Sequence, residues 1–290
     1  MSDPYKILAG TVDLHIHALP DLLERPLFEL DVAKQARDVG YRAILFKSHF
    51  TTNADRMQII RQQIDGIELY GGVTLNHSVG GINPQAVFAA IGMGAKEVKM
   101  PTTHAAKHLE VHGQPNYPWS SVTMPPVKGI TILDQEGKPI LELKEVLELV
   151  ASHDVILSTG HLSKDEVRVL LCEARSAGVK KIMVTHADID TTFFTPEEQL
   201  ELAKMGAFIE HAFTPCMPLR QRLDPRAIAK AIQLVGAKRC VMSSDFGQMH
   251  NPLPVEGMRM FVQHMLKCGI GQEEIDIMTK HNPAMLLGLE

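Results

Sequence analysis

The feature of this sequence that most constrains its fold is a short apolar run near the amino terminus that ends in two histidines. Residues 12–17 read Val-Asp-Leu-His-Ile-His, a pattern typical of a buried β-strand. Because side chains alternate faces along a strand, His15 and His17 project to the same side, roughly 6–7 Å apart. On their own they could be two core histidines. With ligands from other strands, they could bind one metal ion.

The composition is that of a soluble protein with a sizeable core, since 45% of the 290 residues are hydrophobic and 22% are charged. A net charge of −5, without any Lys/Arg run, argues against nucleic acid as a partner. No apolar stretch approaches the ~20 residues that cross a bilayer, and residues 1–6 lack the pattern of a signal peptide. Four scattered cysteines predict reduced thiols and a cytoplasmic location. The 14 histidines favour a search for a metal site.

Apolar runs alternate with segments of helical spacing along the whole chain. The runs are residues 12–17, 43–46, 69–75, 97–100, 155–159, 181–185, 207–211 and 239–243. Strands that alternate with helices pair in parallel, so this order predicts a single (β/α)8 TIM-type barrel domain over residues 1–290. An open doubly wound sheet is the alternative, but no Gly-rich fingerprint follows the first run.

Residues 101–140 interrupt this rhythm as an insertion after strand four. Their last part, residues 129–140, predicts a β-hairpin that turns near Gly137. Long insertions after barrel strands often form a wall or lid of an active site. Tyr117 and Trp119 are candidates for a hydrophobic lid, or for anchors that hold the insertion on the barrel.

Each predicted strand ends, at its carboxyl end, in at least one potential metal ligand or titratable residue. In chain order these are His15 and His17, Lys47 and His49, His77, Lys99, His161, His186, Glu210 and His211, and Asp245. Barrel enzymes place their active sites at this end of the strands. The pattern therefore predicts one site to which all the strands contribute.

These residues resemble the amidohydrolase superfamily, with His-x-His on strand one, Lys on strand four, His on strands five and six, and Asp on strand eight. The ending Asn282-Pro-Ala-Met-Leu-Leu-Gly288 is also similar to one common in that superfamily. The resemblance implies a binuclear metal centre. Its ligands would be His15, His17 and Asp245 on one ion, His161 and His186 on the other, and Lys99, carboxylated on its amine, between them.

Imidazoles and carboxylates suit Zn²⁺, and Mn, Co, Fe or Ni are possible alternatives. A metal-bound hydroxide would attack the substrate, and Asp245 would act as the general base. Lys99 could instead be an unmodified amine that binds substrate beside a single ion, and Asp245 could merely cap a loop.

Several other residues are weaker candidates, for which a structural role is equally plausible. Lys47, His49, His77, His104 and His211 are candidates for substrate binding. Arg220 and Arg222, after strand seven, could meet a carboxylate or phosphate or be ordinary solvated charges. The remaining histidines, His108 and His112 among them, are expected at the surface or at helix ends.

The leading hypothesis is a metal-dependent hydrolase that cleaves an amide, lactone, ester or phosphoester bond of a small molecule. One alternative is a mononuclear decarboxylase or deaminase of the same superfamily, and another is a metal-binding barrel without catalysis. Metal content separates the first two, because the hydrolase predicts two ions per chain and the alternative one. A homo-oligomer is expected, and the sequence does not identify the substrate.

Overall fold

The computed structural model describes residues 5–115, 120 and 122–289. Nine short strands alternate with helices along this part of the chain. They are β1 (Val12–Ile16), β2 (Ala43–Phe46), β3 (Glu68–Tyr70), β4 (Gly72–Thr74), β5 (Glu97–Lys99), β6 (Ile156–Ser158), β7 (Ile182–Val184), β8 (Phe208–Ala212) and β9 (Cys240–Ser243). All the strand pairs are parallel, as the βα alternation predicts.

The strands form two sheets, β1-β2-β3 and β4 to β9, that together make the barrel. Only Gly71 separates β3 from β4, so these two strands form the third barrel strand. At the other junction, His17 N donates to Phe246 O over 2.8 Å and Asp245 N donates to His15 O over 2.8 Å. These bonds join the end of β9 to the end of β1. The predicted eight-stranded (β/α)8 architecture is thereby confirmed.

The helices follow the strands in the order expected for a barrel. They are α1 (Glu29–Asp38), α2 (Ala54–Ile60), α3 (Pro84–Gly92), α4 (Ala106–His112), α5 (Leu141–His153), α6 (Lys164–Ser176), α7 (Pro196–Lys204), α8 (Pro225–Val235), α9 (Pro254–Lys267), α10 (Gln272–Asp276) and α11 (Asn282–Leu287). Ser163 and Thr195 form capping boxes with the glutamates three residues later, which fixes the starts of α6 and α7. No helix among the described residues is long and apolar enough to cross a membrane.

Two layers of apolar side chains hold the fold together. The outer layer lies between the strands and the helices, and the inner cluster fills the amino-terminal half of the barrel. Ala284, Leu286 and Leu287 of α11 pack on the inner cluster, while Asn282 Nδ2 donates to the carbonyls of Ala237 and Cys240. The Asn-Pro-Ala ending therefore closes the bottom of the barrel and leaves the opposite end open for a site.

The insertion between β5 and α5 contains a helix that the sequence pattern did not predict, α4 (Ala106–His112). The predicted hairpin is present as a tight turn: Asp134 N donates to Lys138 O over 2.8 Å, and Ile140 N donates to Ile132 O over 3.0 Å. Gly137, at φ +77°, allows that turn. Tyr117 and Trp119, the candidate lid residues, lie outside the described residues.

Candidate metal centre and pocket

A break in the regular alternation of β1 aims its two histidines into the barrel. From Asp13 to Ile16, three steps along β1 match two steps along β2, from Ile44 to Phe46. Leu14 therefore packs in the inner cluster, whereas Ile16, two residues later, packs in the outer layer. Such a bulge inserts one residue and redirects the side chains beyond it. The bulge therefore allows β1 to place an apolar side chain in the inner cluster near its start and two inward-facing histidines at its carboxyl end.

His15, His17 and Asp245 converge at the carboxyl ends of β1 and β9. Asp245 Oδ1 lies 3.2 Å from His15 Nε2 and 3.1 Å from His17 Nε2. One ligand atom from each of the three buried residues lies within 4.8 Å of those of the other two. The described residues contain one such group of three, and it is the set that the resemblance to the amidohydrolase superfamily implies for the first ion.

Glu210, near the carboxyl end of β8, contacts both the side chain of His15 and the backbone of His186. Its Oε1 lies 3.1 Å from His15 Nδ1, and its Oε2 accepts from His186 N over 2.9 Å. With a proton on Nδ1 shared with Glu210, His15 presents the lone pair of Nε2 toward Asp245. A carboxylate that fixes the tautomer of a histidine in this way is typical of metal ligands.

His161 and His186 form a second pair beside the first group. Their Nε2 atoms are 3.1 Å apart, and the ring of His186 stacks on that of His15 with centroids 5.7 Å apart. His161 Nδ1 also lies 2.7 Å from His108 Nδ1, on α4 of the insertion. His108 was expected at the surface or at a helix end; it lies in the first turn of the short helix α4, and the expectation of a surface position was wrong, because it is only 6% exposed. Sequence periodicity did not reveal this contact because α4 is short and lies in a Pro- and His-rich segment.

Two ligand candidates occupy uncommon backbone conformations. His186 has φ +31° and Asp245 has φ +54°, a region that favours glycine. Strained residues of this kind persist where surrounding contacts hold them, and they often occur at functional sites. Asp245 N donates to His15 O over 2.8 Å, and the carboxylate of Asp13 accepts from the preceding Ser244 N over 3.2 Å and from His15 N over 3.1 Å. Asp13 thus ties the two ligand-bearing strand ends together.

Gly247 lets the loop after β9 lie directly on β1. A Cβ at this position would overlap the carbonyl oxygen of His17, and its φ of +128° also disfavours other residues. Any side chain here would push Asp245 away from His17.

The protonation states of the site suit cation binding. Burial lowers the pKa of four imidazoles well below the usual histidine value, namely those of His15, His17, His161 and His186. Burial alone would raise the pKa of Asp245, but nearby positive charge, that of Lys47 included, leaves it below its usual value. At neutral pH the site therefore combines neutral imidazoles with a carboxylate.

Two lysines lie at the base of the site, and they differ in their partners. Lys47 Nζ lies 2.9 Å from His15 Nε2, and burial, followed by the charge of Lys99, lowers its pKa to about 7. Lys99 Nζ lies 3.1 Å from Glu97 Oε1, with both side chains buried. A carbamate on Lys99 Nζ would place a negative group beside the Glu97 carboxylate. Carboxylation of Lys99 stays a prediction.

The weaker substrate-binding candidates separate into two groups. Lys47 and His49 line the pocket above the metal ligands. His104 and His77 lie to one side, where His77 N donates to His104 Nδ1 over 3.1 Å, and His77 is exposed. His211 faces away from the barrel interior, and its Nδ1 lies 2.6 Å from Asp188 Oδ2.

Strand alternation explains the position of His211. On β8, Phe208 packs in the inner cluster and Ile209 in the outer layer. Glu210 therefore faces inward and His211 outward. Glu210 and His211 both stand at the end of a predicted strand. Which of them belongs to the site depends on which face of the strand is interior, and the sequence does not show this.

The pocket above the ligands has a volume of about 270 Å³. Its lining includes His17, Arg25, Lys47, His49, Thr103, His108, His112, Gln114, His161, His186, Arg220, Asp245, Gln248 and His250. These residues come from most of the strand-end loops and from the insertion, so the insertion forms a wall of the pocket as expected. The volume suits a small molecule rather than a polymer.

Comparison with known proteins gives one family match and many structural relatives. Residues 10–210 match the model of a Family of unknown function (DUF6282). A search of the curated proteins gave no match.

Many solved structures have folds similar to that of this chain. An amidohydrolase from Pseudomonas aeruginosa has a TM-score of 0.68 at 12% identity and covers 98% of each chain. A variant of an organophosphorus hydrolase from Deinococcus radiodurans has a TM-score of 0.63 at 13% identity, covering 98% of this chain and 94% of its own. A 2,6-dihydroxybenzoate decarboxylase from Rhizobium has a TM-score of 0.60 at 11% identity, covering 97% and 99%. The chain therefore has the amidohydrolase barrel fold.

Proposed function

We propose that this chain, which belongs to the Family of unknown function (DUF6282), is a metal-dependent hydrolase of a small molecule. The bond cleaved would be an amide, lactone, ester or phosphoester. The observation that carries the proposal is the convergence of His15 Nε2, His17 Nε2 and Asp245 Oδ1 at the open end of an amidohydrolase-type barrel.

The donor atoms fit a divalent cation. His15 Nε2 and His17 Nε2 approach the same carboxylate oxygen within 3.2 Å, although their low pKa values leave both rings neutral. Because His15 shares its Nδ1 proton with Glu210, a lone pair on Nε2 faces the negative Oδ1 of Asp245. Positive charge relieves this repulsion. Lys47 supplies part of this positive charge from one side, and a metal ion between the three atoms would supply additional positive charge.

We assign the first ion to His15, His17 and Asp245, and the second to His161 and His186, with Lys99 as the proposed bridge. Zn²⁺ fits these nitrogen and oxygen donors best. When bound, the ions would lower the pKa of a water toward neutrality and polarise the bond under attack. His49 and Lys47, which line the pocket, would contact the substrate.

Asp245 would move the proton in this reaction. It is ionised, because its pKa is below the usual value, and it lies at the pocket floor beside both β1 histidines. Its carboxylate can accept a proton from the attacking water and return it to the leaving group. The hydrogen bond from Asp245 N to His15 O and the one from Ser244 N to Asp13 hold it in this position.

The proposal is tested by metal content together with turnover. Protein stripped with a chelator and reloaded with Zn²⁺, Mn²⁺ or Co²⁺ should bind two ions per chain, by elemental mass spectrometry. It should then hydrolyse at least one member of a panel of lactones, esters, amides and phosphoesters, and lose that activity again with chelator. Metal-loaded protein that turns over no member of the panel would contradict the assignment.

A mononuclear enzyme, such as a decarboxylase or deaminase, is the second candidate. The ion pair between Lys99 and Glu97 favours it, because an ammonium cannot bridge two cations. One metal ion per chain at saturating Zn²⁺, with release of CO2 or ammonia from a substrate, would select this alternative.

His108 offers a test of the second ion. If His161 binds that ion through Nε2, its Nδ1–H donates to His108 Nδ1. We expect His108→Leu to weaken binding of the second ion by about 10- to 100-fold, measured by absorbance on Co²⁺ titration, because the ring of His161 loses its partner. His108→Asn, whose Oδ1 can replace Nδ1 as the acceptor, should recover part of the loss.

Lys107→Gln is the matched control, since Lys107 lies on the same helix but pairs with the exposed Glu110. It should leave both affinities unchanged. Equal affinity for the second ion in His108→Leu and the wild type would remove His108 from this role.

The cytoplasmic location and the homo-oligomer expected from the sequence remain proposals. The cysteines Cys172, Cys216, Cys240 and Cys268 are free thiols, which supports a reducing compartment.

A further inference from the structure

We propose that the substrate of this pocket carries an anionic group, a carboxylate or a phosphate, that binds the guanidinium of Arg220 at the pocket mouth. The inference rests on the proposed function, because it names the class of molecule that the metal centre would act on. It is carried by the charges of the pocket lining and by the position of one arginine.

The charged side chains of the lining are mostly basic. The cations are Arg25, Lys47 and Arg220, and Asp245 is the one carboxylate among the described lining residues. Metal ions at the floor would add further positive charge. A pocket of this kind attracts anions and repels cations.

Two of the three cations already have partners inside the protein. Arg25 is buried, and its Nε and Nη2 each lie 2.8 Å from Asp21 Oδ2. Lys47 lies deep in the site with its Nζ 2.9 Å from His15 Nε2. Neither is placed to bind the distal end of a substrate.

Arg220 is exposed at the mouth, and it forms no salt bridge with the residues that the structure describes. It nevertheless belongs to the pocket, since it lines the pocket together with His108 and His250. A guanidinium presents paired N–H donors that match the two oxygens of a carboxylate or phosphate.

The backbone around Arg220 is fixed. Arg220 N donates to Met217 O over 3.1 Å. The next residue, Gln221, accepts from Asp190 N over 2.8 Å and donates to Asp188 O over 3.0 Å. These bonds hold the loop after β8 against the loop after β7, which follows the ligand His186. The backbone of Arg220 is thus held beside the loop that carries His186, and its side chain lines the pocket.

Arg222 provides a matched control, because it is an exposed arginine on the same loop that does not line the pocket. Its Nε donates to Pro218 O over 2.8 Å. The sequence gives no reason to prefer one of these arginines as an anion-binding residue, whereas in the structure only Arg220 of the two lines the pocket.

The test compares substrates that differ only in charge. Any lactone or amide turned over by the metal-loaded enzyme is prepared with a carboxylate, a neutral carboxamide or a phosphate at the end remote from the scissile bond. The anionic forms should have the lower KM in the wild type. Arg220→Gln should raise that KM about tenfold with little change in kcat, and it should leave the carboxamide unaffected. Arg222→Gln should change neither.

A second measurement keeps the inference separate from the proposed hydrolysis. Succinate, succinamide and inorganic phosphate are titrated into the metal-loaded protein by calorimetry. Weaker binding of succinate or phosphate to Arg220→Gln than to Arg222→Gln supports the anion site even if no substrate is hydrolysed, and the stronger of the two anions identifies the group. Equal anion affinity in both variants, or a wild-type preference for the carboxamide, would overturn it.

Discussion

Asp245→Asn is expected to reduce kcat by about 10²–10⁴ while most of the metal stays bound. Asparagine keeps the size of the side chain and one oxygen for the ion, but it cannot accept a proton at neutral pH. Asparagine also tolerates the positive φ of +54° at this position, so the turn after β9 should be preserved. The measurements are kcat on a substrate found in the panel and metal content by elemental mass spectrometry.

Asp188→Asn is the control for this variant. Asp188 is also a buried carboxylate next to a histidine, His211, but the pair lies outside the pocket. Its pairing raises the pKa of His211 to about 10 despite burial, so the change should lower stability and leave kcat within a few-fold of the wild type. A kcat close to normal in Asp245→Asn would exclude Asp245 as the general base.

Lys99→Ala is expected to remove most of the second metal ion, and added acetate or propionate should restore part of it. A carbamate on Lys99 would supply two oxygens that share one negative charge, and a small carboxylate, with the same pair of oxygens, can enter the space left by the lysine side chain. Elemental mass spectrometry with and without the acid measures the effect. A ¹³C signal from protein equilibrated with ¹³CO2, lost in Lys99→Ala, would identify the carbamate directly.

Lys47→Ala must be measured in parallel, because the structure gives Lys47 the closer contact with a metal ligand. Lys47 Nζ is 2.9 Å from His15, while the nearest charged partner of Lys99 is Glu97. Unchanged metal content in Lys99→Ala would exclude Lys99 as the bridge. If Lys47→Ala then loses the second ion in a way that short acids restore, the bridging role belongs to Lys47. Thermal unfolding of both variants controls for the charge left unpaired on Glu97.

The order of secondary structure is readable from the sequence, and it is sufficient for the fold. Apolar runs of strand length, helical segments and capping boxes at Ser163 and Thr195 are local signals that depend on neighbouring residues only. The barrel follows because parallel strands need crossover helices and the carboxyl ends must then meet. For the same reason, the strand pattern places His15, His17 and Asp245 at the same end of the barrel, and the resemblance to the amidohydrolase superfamily implies that these three form one ligand set.

Contacts between distant segments cannot be read in this way. Glu210 and His211 are neighbours in sequence, and the tertiary structure alone shows that the first supports His15 while the second faces Asp188. His108 comes from a short helix in an irregular insertion, yet it lies against His161. Lys47 and Lys99 both end predicted strands, and the choice between them depends on which atoms surround each amine.

The sequence by itself thus determined the barrel and the list of groups at its open end, because strand periodicity and chain direction are local properties. The tertiary structure decided which of those groups face one another, through a one-residue bulge in β1, two strained turns at His186 and Asp245, and the close contact at Gly247. It also separated Arg220 at the pocket mouth from Arg222 outside it. These outcomes depend on packing between segments that are far apart in the chain, and no local pattern encodes them.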